Sequence, residues 1–483
     1  MFRKEEVVKN LGGWDTVRFS ADNELIRRIQ TVFGKESIVH MPTGPLSFQR
    51  DSDSSIIAHS YFGVNGAMFG VRKEYLEAQR HYHNSGKSPY YSGKPNDRPF
   101  YAPKSMRGKS TLGRVEDRHF DVIISTDFRM PGGSVISCLE EIRAQARAGL
   151  KTGIFELYRY DLNPDGKMLG MVRDLINELG IEVLTYGESV SCDLLIIRYP
   201  PVLQYYQQFI PAVSAKDIKV IINQLPMSDY SEKGIVRYTM TDCQKNLFRM
   251  FGRDAVWHPI SHTVADNLYD KHADEVKAIN FSPEPWANII DVALWGGGVR
   301  SYVNNSPIRI GRHSRDNYVK WPDTKEEILA AYPSDNGFEV NVLGGVESIK
   351  SIMGKIPLCW NVRDFNDIPP KRFLENLDVY VYFTSKYWVE AFGRSILEAM
   401  ASGLPVILPS SFRNTFGDAA IYCEVWQVGD VVKDLLSKPD EYSKRSLDAI
   451  DFVKANFGYE AHLKRLSRHV EIKSETLIEK AMV

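Results

Sequence analysis

The chain has 483 residues, more than one hydrophobic core ordinarily supports, because single cores stop growing near about 250–300 residues. Hydrophobic residues make up 43% and charged residues 25%, values typical of soluble globular proteins and unlike those of disordered or collagen-like chains. The formal net charge of -1, from 60 Lys and Arg against 61 Asp and Glu, excludes attraction to nucleic acid or acidic lipid through overall charge.

Five cysteines are scattered along the chain without a C-x-x-C pair, which argues against a disulfide framework or a structural zinc site. A reducing cytoplasm is therefore favoured. The first residues, MFRKEEVVKN, lack the apolar stretch of a secretory signal, and no run of about 18 apolar residues occurs. We expect a cytoplasmic protein that does not span a membrane.

Residues 1–118 show no regular alternation of strands and helices, and we predict an N-terminal extension or small domain there. Within it, residues 84–114 are rich in Gly, Pro, Ser, Lys, Arg and Tyr, with Asp97 as the only acid. This composition is typical of an extended basic arm or linker.

A first α/β domain is predicted over residues 119–265, where short apolar runs alternate with amphipathic helical segments. A helix is predicted from Ser134, as its N-cap, to Gly149, and another near residues 167–180. No hairpin turn separates the strands, so we expect a parallel, doubly wound sheet. Its five predicted strands are DVIIST (121–126), TGIFELY (152–158), IEVLTY (181–186), DLLIIRYP (193–200) and KVIINQLP (219–226).

A second domain of the same kind is predicted over residues 266–455, with helices at 324–331 and 371–376. Ligands bind at the carboxyl ends of strands in such sheets, so two Rossmann-like domains would enclose a cleft. The predicted strands are IRIGRH (308–313), FEVNVLGG (338–345), LCWNV (358–362), DVYVYFTS (378–385) and LPVILPS (404–410).

Residues 390–407, EAFGRSILEAMASGLPVI, form the most informative segment. Helical composition begins at Ser395, and Gly403 suits the position after the helix end. The residues before the helix would offer free backbone N–H groups, which suit a diphosphate. Glu390 precedes the helix and Glu398 lies within it, so their carboxylates could accept hydrogen bonds from sugar and ribose hydroxyls on one long ligand.

The two glutamates, eight positions apart and followed by AMASGLPVI, resemble the E-x7-E motif of retaining GT-B-fold glycosyltransferases of family four. The resemblance covers roughly residues 120–455. It implies a GT-B-like fold, with Glu390 near the transferred sugar and Glu398 at the ribose of the nucleotide. In family enzymes the last helix returns to the first domain, which we expect of residues 456–483. Further donor contacts are expected from Phe392, Gly393, Arg394 and Ser395.

The segment IGRHSRDNYVKWP (310–322) is similar to the family's Arg and Lys clamp on the donor pyrophosphate. Fixed cations there stabilise the negative charge that builds as a nucleoside diphosphate leaves. We expect Arg312 and Lys320 in this catalytic role. Arg315, five residues before Lys320, is the alternative to Arg312.

The segment TDFRMPGGS (126–134) resembles the glycine loop of the family's first domain, where Gly132 and Gly133 allow close approach to the donor phosphate and acceptor. Many family members have a histidine after a middle strand of this domain. Here Asn223 and Gln224 occupy that place, and their amides could bond a sugar hydroxyl or the leaving phosphate. VWHPI (256–260) is similar to the start of the interdomain linker, and we expect His258 to be structural.

The resemblance implies a retaining glycosyltransferase that moves a sugar from a nucleotide-diphosphate donor to a hydroxyl of a glycan or lipid-linked glycan. Synthesis of a capsule, lipopolysaccharide or other surface polysaccharide is the expected setting. The mechanism is expected to be front-face displacement without a metal, and no cofactor is expected besides the nucleotide sugar.

Two other functions remain open from the sequence. The first is a nucleotide-sugar epimerase or phosphorylase on the same fold. The second is a non-catalytic protein that binds an anionic glycan or nucleic acid through residues 84–114, whereas the enzyme would need no nucleic acid. Basic residues in 462–473 suit either a packed helix or peripheral contact with the inner face of a membrane. The sugar, the base, the acceptor and the oligomeric state are not predicted.

Overall fold

The computed structural model describes residues 4–39, 62–94, 97–107, 118–159, 161–163, 166–296, 298–303, 306–335, 337–365 and 367–472. Parts of the predicted segments 84–114 and 456–483 therefore lie outside the described residues. Within the described part, no helix is both long and apolar enough to cross a membrane.

The N-terminal part is helical. Residues 97–107 pack onto these helices, because Phe100, Ala102 and Met106 are buried in a cluster with Tyr75. The described part of the stretch 84–114 is therefore not an extended arm, since its apolar residues supply core. The helices are α1 (Lys4–Leu11), α2 (Ala21–Phe33), α3 (Val64–Met68) and α4 (Val71–Asn84).

A seven-stranded parallel sheet follows, in the order β3-β2-β1-β4-β5-β6-β7. Its strands are β1 (His119–Thr126), β2 (Thr152–Glu156), β3 (Glu182–Val183), β4 (Ser189–Arg198), β5 (Ala212–Ile222), β6 (Val256–Pro259) and β7 (Asn280–Phe281). The five predicted strands are confirmed. The segment at 256–260 was expected to begin a linker, but it pairs with β5 as a strand because Trp257 is fully buried in the core. The sheet thus extends past residue 265.

Helices on the two faces of this sheet complete the first domain: α5 (Gly133–Arg147), α6 (Gly170–Leu179), α7 (Met240–Phe251), α8 (His262–Lys271) and α9 (Ala273–Lys277). Both predicted helices are confirmed within a few residues. The N-terminal helices dock beside β3. Arg173 of α6 forms ion pairs with Glu74 and Glu77 of α4, and the hydroxyl of Tyr101 bonds the backbone of Val183.

The second domain has a six-stranded parallel sheet in the order β10-β9-β8-β11-β12-β13. Its strands are β8 (Ile308–His313), β9 (Phe338–Leu343), β10 (Trp360–Arg363), β11 (Val379–Val381), β12 (Val406–Leu408) and β13 (Ile421–Tyr422). Its helices are α10 (Val292–Trp295), α11 (Lys325–Ala331), α12 (Lys350–Met353), α13 (Pro370–Glu375), α14 (Arg394–Ala401), α15 (Arg413–Phe416) and α16 (Val428–Leu436). In both sheets the first six strands follow the order 3-2-1-4-5-6 of the Rossmann fold.

Two further helices link the domains. α17 (Pro439–Phe457) packs on α14 in the second domain, and α18 (Tyr459–Leu466) packs on α5 in the first. There the side-chain nitrogens of His462 and Gln145 lie 3.2 Å apart. The chain thus crosses between the domains twice, and the two crossings touch, because the backbone N–H of Ile290 donates to the carbonyl of Phe457 at 2.9 Å.

The two domains face each other across a cleft. Ser261 donates to the carbonyl of Ala391 at 2.6 Å, and the N–H of Tyr230 donates to the carbonyl of Tyr387 at 3.3 Å. These residues follow the carboxyl ends of strands in both sheets. The predicted α/β fold, two Rossmann-like domains around a cleft with an N-terminal extension, is confirmed, and it is the GT-B architecture.

Candidate active-site cleft

The glycine loop after β1 meets the basic loop after β8 across the cleft. Gly132 has a φ of 148°, which side chains rarely adopt, and a Cβ added there would lie 3.8 Å from the guanidinium of Arg315. Arg315 is exposed apart from this approach. Its cation therefore reaches from the second domain to the loop that opens α5 in the first domain.

Ser134 is not the N-cap of α5, contrary to the prediction. The helix begins at Gly133, and Gly132 takes the N-cap position, so Ser134 falls inside the first turn. Its hydroxyl instead accepts a hydrogen bond of 2.7 Å from the side-chain amide of Asn223, which follows β5. The amide oxygen of Asn223 is buried and has no partner in the described structure. Asn223 thus holds the glycine loop through Ser134, and its side-chain oxygen remains available to accept a hydrogen bond.

Gln224, the neighbour of Asn223, forms its hydrogen bonds within the first domain. Its side-chain amide, oriented to suit both neighbours, donates to the hydroxyl of Tyr199 at 3.1 Å and accepts from Nε of Arg237 at 3.0 Å. Its backbone carbonyl accepts from the hydroxyl of Tyr238 at 2.6 Å. The side chain is therefore held by groups of its own domain.

Glu390 forms an ion pair with Lys320 on the wall opposite the glycine loop. The same carboxylate oxygen accepts a hydrogen bond of 3.0 Å from the hydroxyl of Tyr382. Burial raises the pKa of Glu390, but the ammonium of Lys320 and these hydrogen bonds lower it by more, so the pKa lies below its ordinary value. Glu390 is therefore a carboxylate near neutral pH, although its side chain and that of Lys320 are only 13% and 19% exposed.

Glu398 lies one and a half turns into α14 and is buried. Nε of Arg394 donates to its Oε1 at 3.0 Å, while its Oε2 lies 3.5 Å from Nε2 of His313. Burial raises the pKa of Glu398, and Arg394 only partly opposes this. Burial also lowers the pKa of His313 to about 3, with Arg312 adding to the effect, so the imidazole is neutral. Among the residues that the structure describes, Oε2 of Glu398 therefore has no cationic partner of its own.

Arg394 also approaches the first domain. Its guanidinium lies 3.7 Å from Oε1 of Glu140 on α5. The other oxygen of Glu140 accepts from the N–H of Asp291 at 3.2 Å and from the hydroxyl of Tyr459 at 2.8 Å. Glu140 thus joins both interdomain crossings to the start of α14.

Arg312 does not reach the cleft. Its guanidinium has no exposed surface, lies 4.0 Å from the ring centroid of Trp321 and donates to the hydroxyl of Tyr332 and to the carbonyl of Phe383, each at 3.3 Å. The expectation that Arg312 contacts a ligand directly does not match this burial. Arg315, the alternative, is the arginine that faces the cleft. Arg312 instead packs inside the second domain, near the end of β8, against Trp321 and Tyr332.

The start of α14 provides the remaining predicted positions. Phe392 is buried against Phe416 and Phe457, so its ring belongs to the core and only its backbone is available to a ligand. Gly393 is the N-cap residue with a φ of 81°, and Ser395 lies half-buried in the first turn. The first N–H groups of a helix have no partner within it, so this turn can accept an anion.

The structure brings together Glu390, Glu398, Lys320, Arg315, Arg394 and the glycine loop, while the ligand contacts of each remain predictions. His313 and Arg237 also lie at this cleft but were missed, because no local sequence pattern marks them. Nδ1 of His258 donates to the backbone carbonyl of Glu284 at 2.9 Å inside the first domain. This position agrees with the structural role expected of it.

No family model matches the chain, and no curated protein matches it. Similar solved structures include HepE (Alr3699) from Anabaena in complex with UDP and glucose, at 12% identity and a TM-score of 0.48 over 72% of this chain and 99% of that one. A glycosyltransferase from Rickettsia africae has 14% identity and a TM-score of 0.48 over 75% and 100%. An OtsA apo structure has 10% identity and a TM-score of 0.44 over 73% and 100%. At such values the site must be interpreted from its own residues.

Proposed function

We propose that this protein is a retaining glycosyltransferase that uses a nucleotide-diphosphate sugar. The observation that carries the proposal is the second-domain wall, where Glu390, Glu398 and the start of α14 lie beside Lys320 and Arg315. The carboxylates suit the hydroxyls of a sugar and a ribose, and the helix start and the two cations suit a diphosphate.

The diphosphate would lie at the start of α14, between the backbone N–H groups and the ammonium of Lys320. Arg315 approaches the glycine loop from the same side and would close over the phosphates. In this proposal Glu398 would accept hydrogen bonds from the ribose hydroxyls through its Oε2. Glu390, held in its anionic form by Lys320, would accept from hydroxyls of the transferred sugar.

The mechanism we favour is displacement from the front face. The acceptor hydroxyl attacks the anomeric carbon from the side on which the diphosphate departs, and a phosphate oxygen takes the hydroxyl proton. Lys320 and Arg315 stabilise the charge that builds on the leaving diphosphate. The bond to the phosphate oxygen breaks as the new glycosidic bond forms, and the anomeric configuration is kept. Closing the cleft excludes the water that would hydrolyse the donor.

The setting we propose is synthesis of a surface glycan on the cytoplasmic side, with a glycan or lipid-linked glycan as acceptor. No metal takes part in the proposed chemistry. Peripheral contact with the inner face of a membrane would bring the enzyme to a lipid-linked acceptor.

Binding of the donor nucleotide can be tested directly. A thermal-shift screen of nucleoside diphosphates and nucleotide sugars should show one base that raises the melting temperature, since a ligand of the folded state alone stabilises it. Glu398→Gln and Arg315→Gln should each weaken binding of that nucleotide on the order of 10- to 100-fold, the range of hydrogen bonds to charged groups. The affinities would be measured by calorimetry.

Matched controls separate the site from general surface charge. Glu347 lies on the surface in an ion pair with Lys350, and Arg372 is exposed on α13. Glu347→Gln and Arg372→Gln should leave nucleotide affinity unchanged. The proposal fails if no nucleoside diphosphate binds, or if Glu398→Gln binds as tightly as its control. Conversion of the donor sugar to its epimer without any acceptor would instead identify an epimerase.

A further inference from the structure

A second basic cluster lies at the carboxyl edge of the first sheet. It consists of Arg159 after β2, Tyr199 after β4, Gln224 after β5 and Arg237 further along, and we call it the arginine cluster. Nη1 of Arg159 donates to the hydroxyl oxygen of Tyr199. The amide of Gln224 joins that hydroxyl to Arg237, at 3.1 and 3.0 Å. Four side chains from three loops are thus connected in one chain of hydrogen bonds.

The arginine cluster has more positive charge than its protein partners neutralise. Arg159 pairs with Asp161, whose side chain is more than half exposed. Among the described residues, no carboxylate lies within ion-pair distance of Arg237, which donates to the carbonyl of Met227 at 3.4 Å. Burial is the main cause that lowers the pKa of Arg237, and the nearby Arg159 guanidinium adds to it, while the more distant carboxylate of Asp229 partly opposes both. A partly buried cation whose nearest carboxylate lies beyond ion-pair distance is incompletely neutralised, so an anion should bind there favourably.

The backbone of Tyr199 supports a role for this edge of the sheet. Its φ is 71°, in the left-handed region that bulky residues rarely adopt. The conformation turns the buried ring so that its hydroxyl lies between Arg159 and Gln224. Such backbone outliers persist where the surrounding structure enforces them, and they are concentrated at ligand sites.

The arginine cluster adjoins the proposed sugar site without being part of it. The guanidinium of Arg237 lies 5.9 Å from the ring centroid of Trp388, in the second domain. The ammonium of Lys320, which pairs with Glu390, lies 4.9 Å from the same centroid. One indole therefore lies close to both cations, the ammonium that pairs with Glu390 and the guanidinium of Arg237. A ligand bound to Arg237 from the first domain would extend toward Glu390.

We propose that the acceptor substrate has an anionic oxygen group, a phosphate or a carboxylate, that binds Arg159, Arg237 and the Tyr199 hydroxyl. The inference rests on the proposed function and names the chemical class of its acceptor. The donor diphosphate is already matched by Arg315, Lys320 and the start of α14, so the arginine cluster remains for a second anion. Planar guanidinium groups bind phosphates and carboxylates through paired hydrogen bonds, which fixes the acceptor in one orientation.

The test uses the full chain saturated with the nucleoside diphosphate that the screen identifies. Calorimetric titration then compares glucose, glucose 6-phosphate, glucuronate and inorganic phosphate as probes. We expect at least one anionic probe to bind roughly 10-fold or more tightly than glucose, without displacing the nucleotide. Preference for the phosphate or the carboxylate probe identifies the group.

Variants locate the binding. Arg237→Gln and Arg159→Gln should each weaken the anionic probe on the order of 10- to 100-fold, while nucleotide affinity is kept. Arg237→Lys, which restores the charge, should recover part of the affinity. Arg249→Gln is the control, since Arg249 is exposed and only stacks on Tyr206, at 4.4 Å. Retained nucleotide binding shows that each variant is folded.

Three results would overturn the inference: no anionic probe binds better than glucose, the nucleotide competes with the probe, or Arg237→Gln binds the probe as well as Arg249→Gln does. Each leaves nucleotide binding intact, so the proposed function would stand. Failure of every nucleoside diphosphate to bind the wild-type protein would instead remove the proposed function itself.

Discussion

Replacing Lys320 by methionine should destabilise the second domain in a way that depends on pH. The substitution keeps the length of the side chain but removes the ammonium that pairs with Glu390, leaving a largely buried carboxylate without its cation. Breaking a buried ion pair from one side costs about 3–5 kcal/mol. Because both side chains keep some exposure, we expect about 2–3 kcal/mol here, or a melting temperature several degrees lower.

The pH dependence follows from the direction of the pKa shift. In the wild-type protein the pKa of Glu390 is below its ordinary value of 4.5, so the ionised group stabilises the fold above that value, and this stability is lost as pH falls through the folded pKa. Without Lys320, its lowering effect is lost and burial, the largest single cause, is opposed only by the hydrogen bonds of Tyr382 and Trp388, so we expect the pKa to rise. The variant is then destabilised at neutral pH and relieved as protonation proceeds. The difference in melting temperature should therefore be largest near pH 7 and disappear at low pH.

A second substitution separates stability from activity. In Lys320→Met with Glu390→Gln, no unpaired charge remains, so most of the melting temperature should return while sugar transfer stays impaired. Calorimetric melting from pH 4 to pH 8 and a transfer assay with the identified donor provide the two measurements. Equal destabilisation at every pH, or strictly additive effects of the two substitutions, would refute the ion pair between Lys320 and Glu390.

Two more predictions follow from the glycine loop and from the buried histidines. Gly132→Ala should lower the free energy of unfolding by roughly 1–3 kcal/mol, because alanine disfavours a φ of 148°, and should weaken nucleotide binding by moving the loop away from Arg315. Gly133→Ala is the control and should do neither. Melting curves and calorimetry measure the two effects, and equal behaviour of the two variants would contradict the loop geometry. Burial lowers the pKa values of His313 and His462 to about 3, against 6.5 when unfolded, so the unfolded chain binds more protons and stability should fall as pH drops from about 6.5 toward 3. In His462→Gln the melting temperature should fall less steeply over this range. An unchanged slope would show that His462 is not a buried neutral imidazole.

Much of the fold could be predicted because most core strands are continuous apolar runs. β1, β4 and β5 are buried on both faces, as parallel strands covered by helices must be. The strands that escaped prediction are short: β7 and β13 have two residues each, too few for any periodic pattern. β6 escaped because residues 256–260 resemble the start of the family's interdomain linker, and only tertiary packing shows Trp257 in the core.

The candidate site was predictable where proximity is local in the sequence. Glu390 and Glu398 share one loop and helix, so a spacing of eight residues is enough to place them on the same wall. The orientation of Arg312 was not predictable, because it depends on Trp321 and Tyr332, which pack over it from later segments. His313 approaches Glu398 only through the packing of β8 against α14, and no linear pattern records such a contact.

Glu140 gives the two interdomain crossings a mechanical meaning. The two adjacent segments are hydrogen-bonded to each other and to the carboxylate of Glu140, so we expect them to act as a hinge. Relative motion of the two domains would then be a rotation about the line through these segments. Arg394 spans from this pivot to Glu398, and any rotation alters its distances to the two carboxylates. If a ligand binds at Glu398 and changes the position of Arg394, its binding and the angle between the domains will be thermodynamically coupled, each biasing the other by the same free energy.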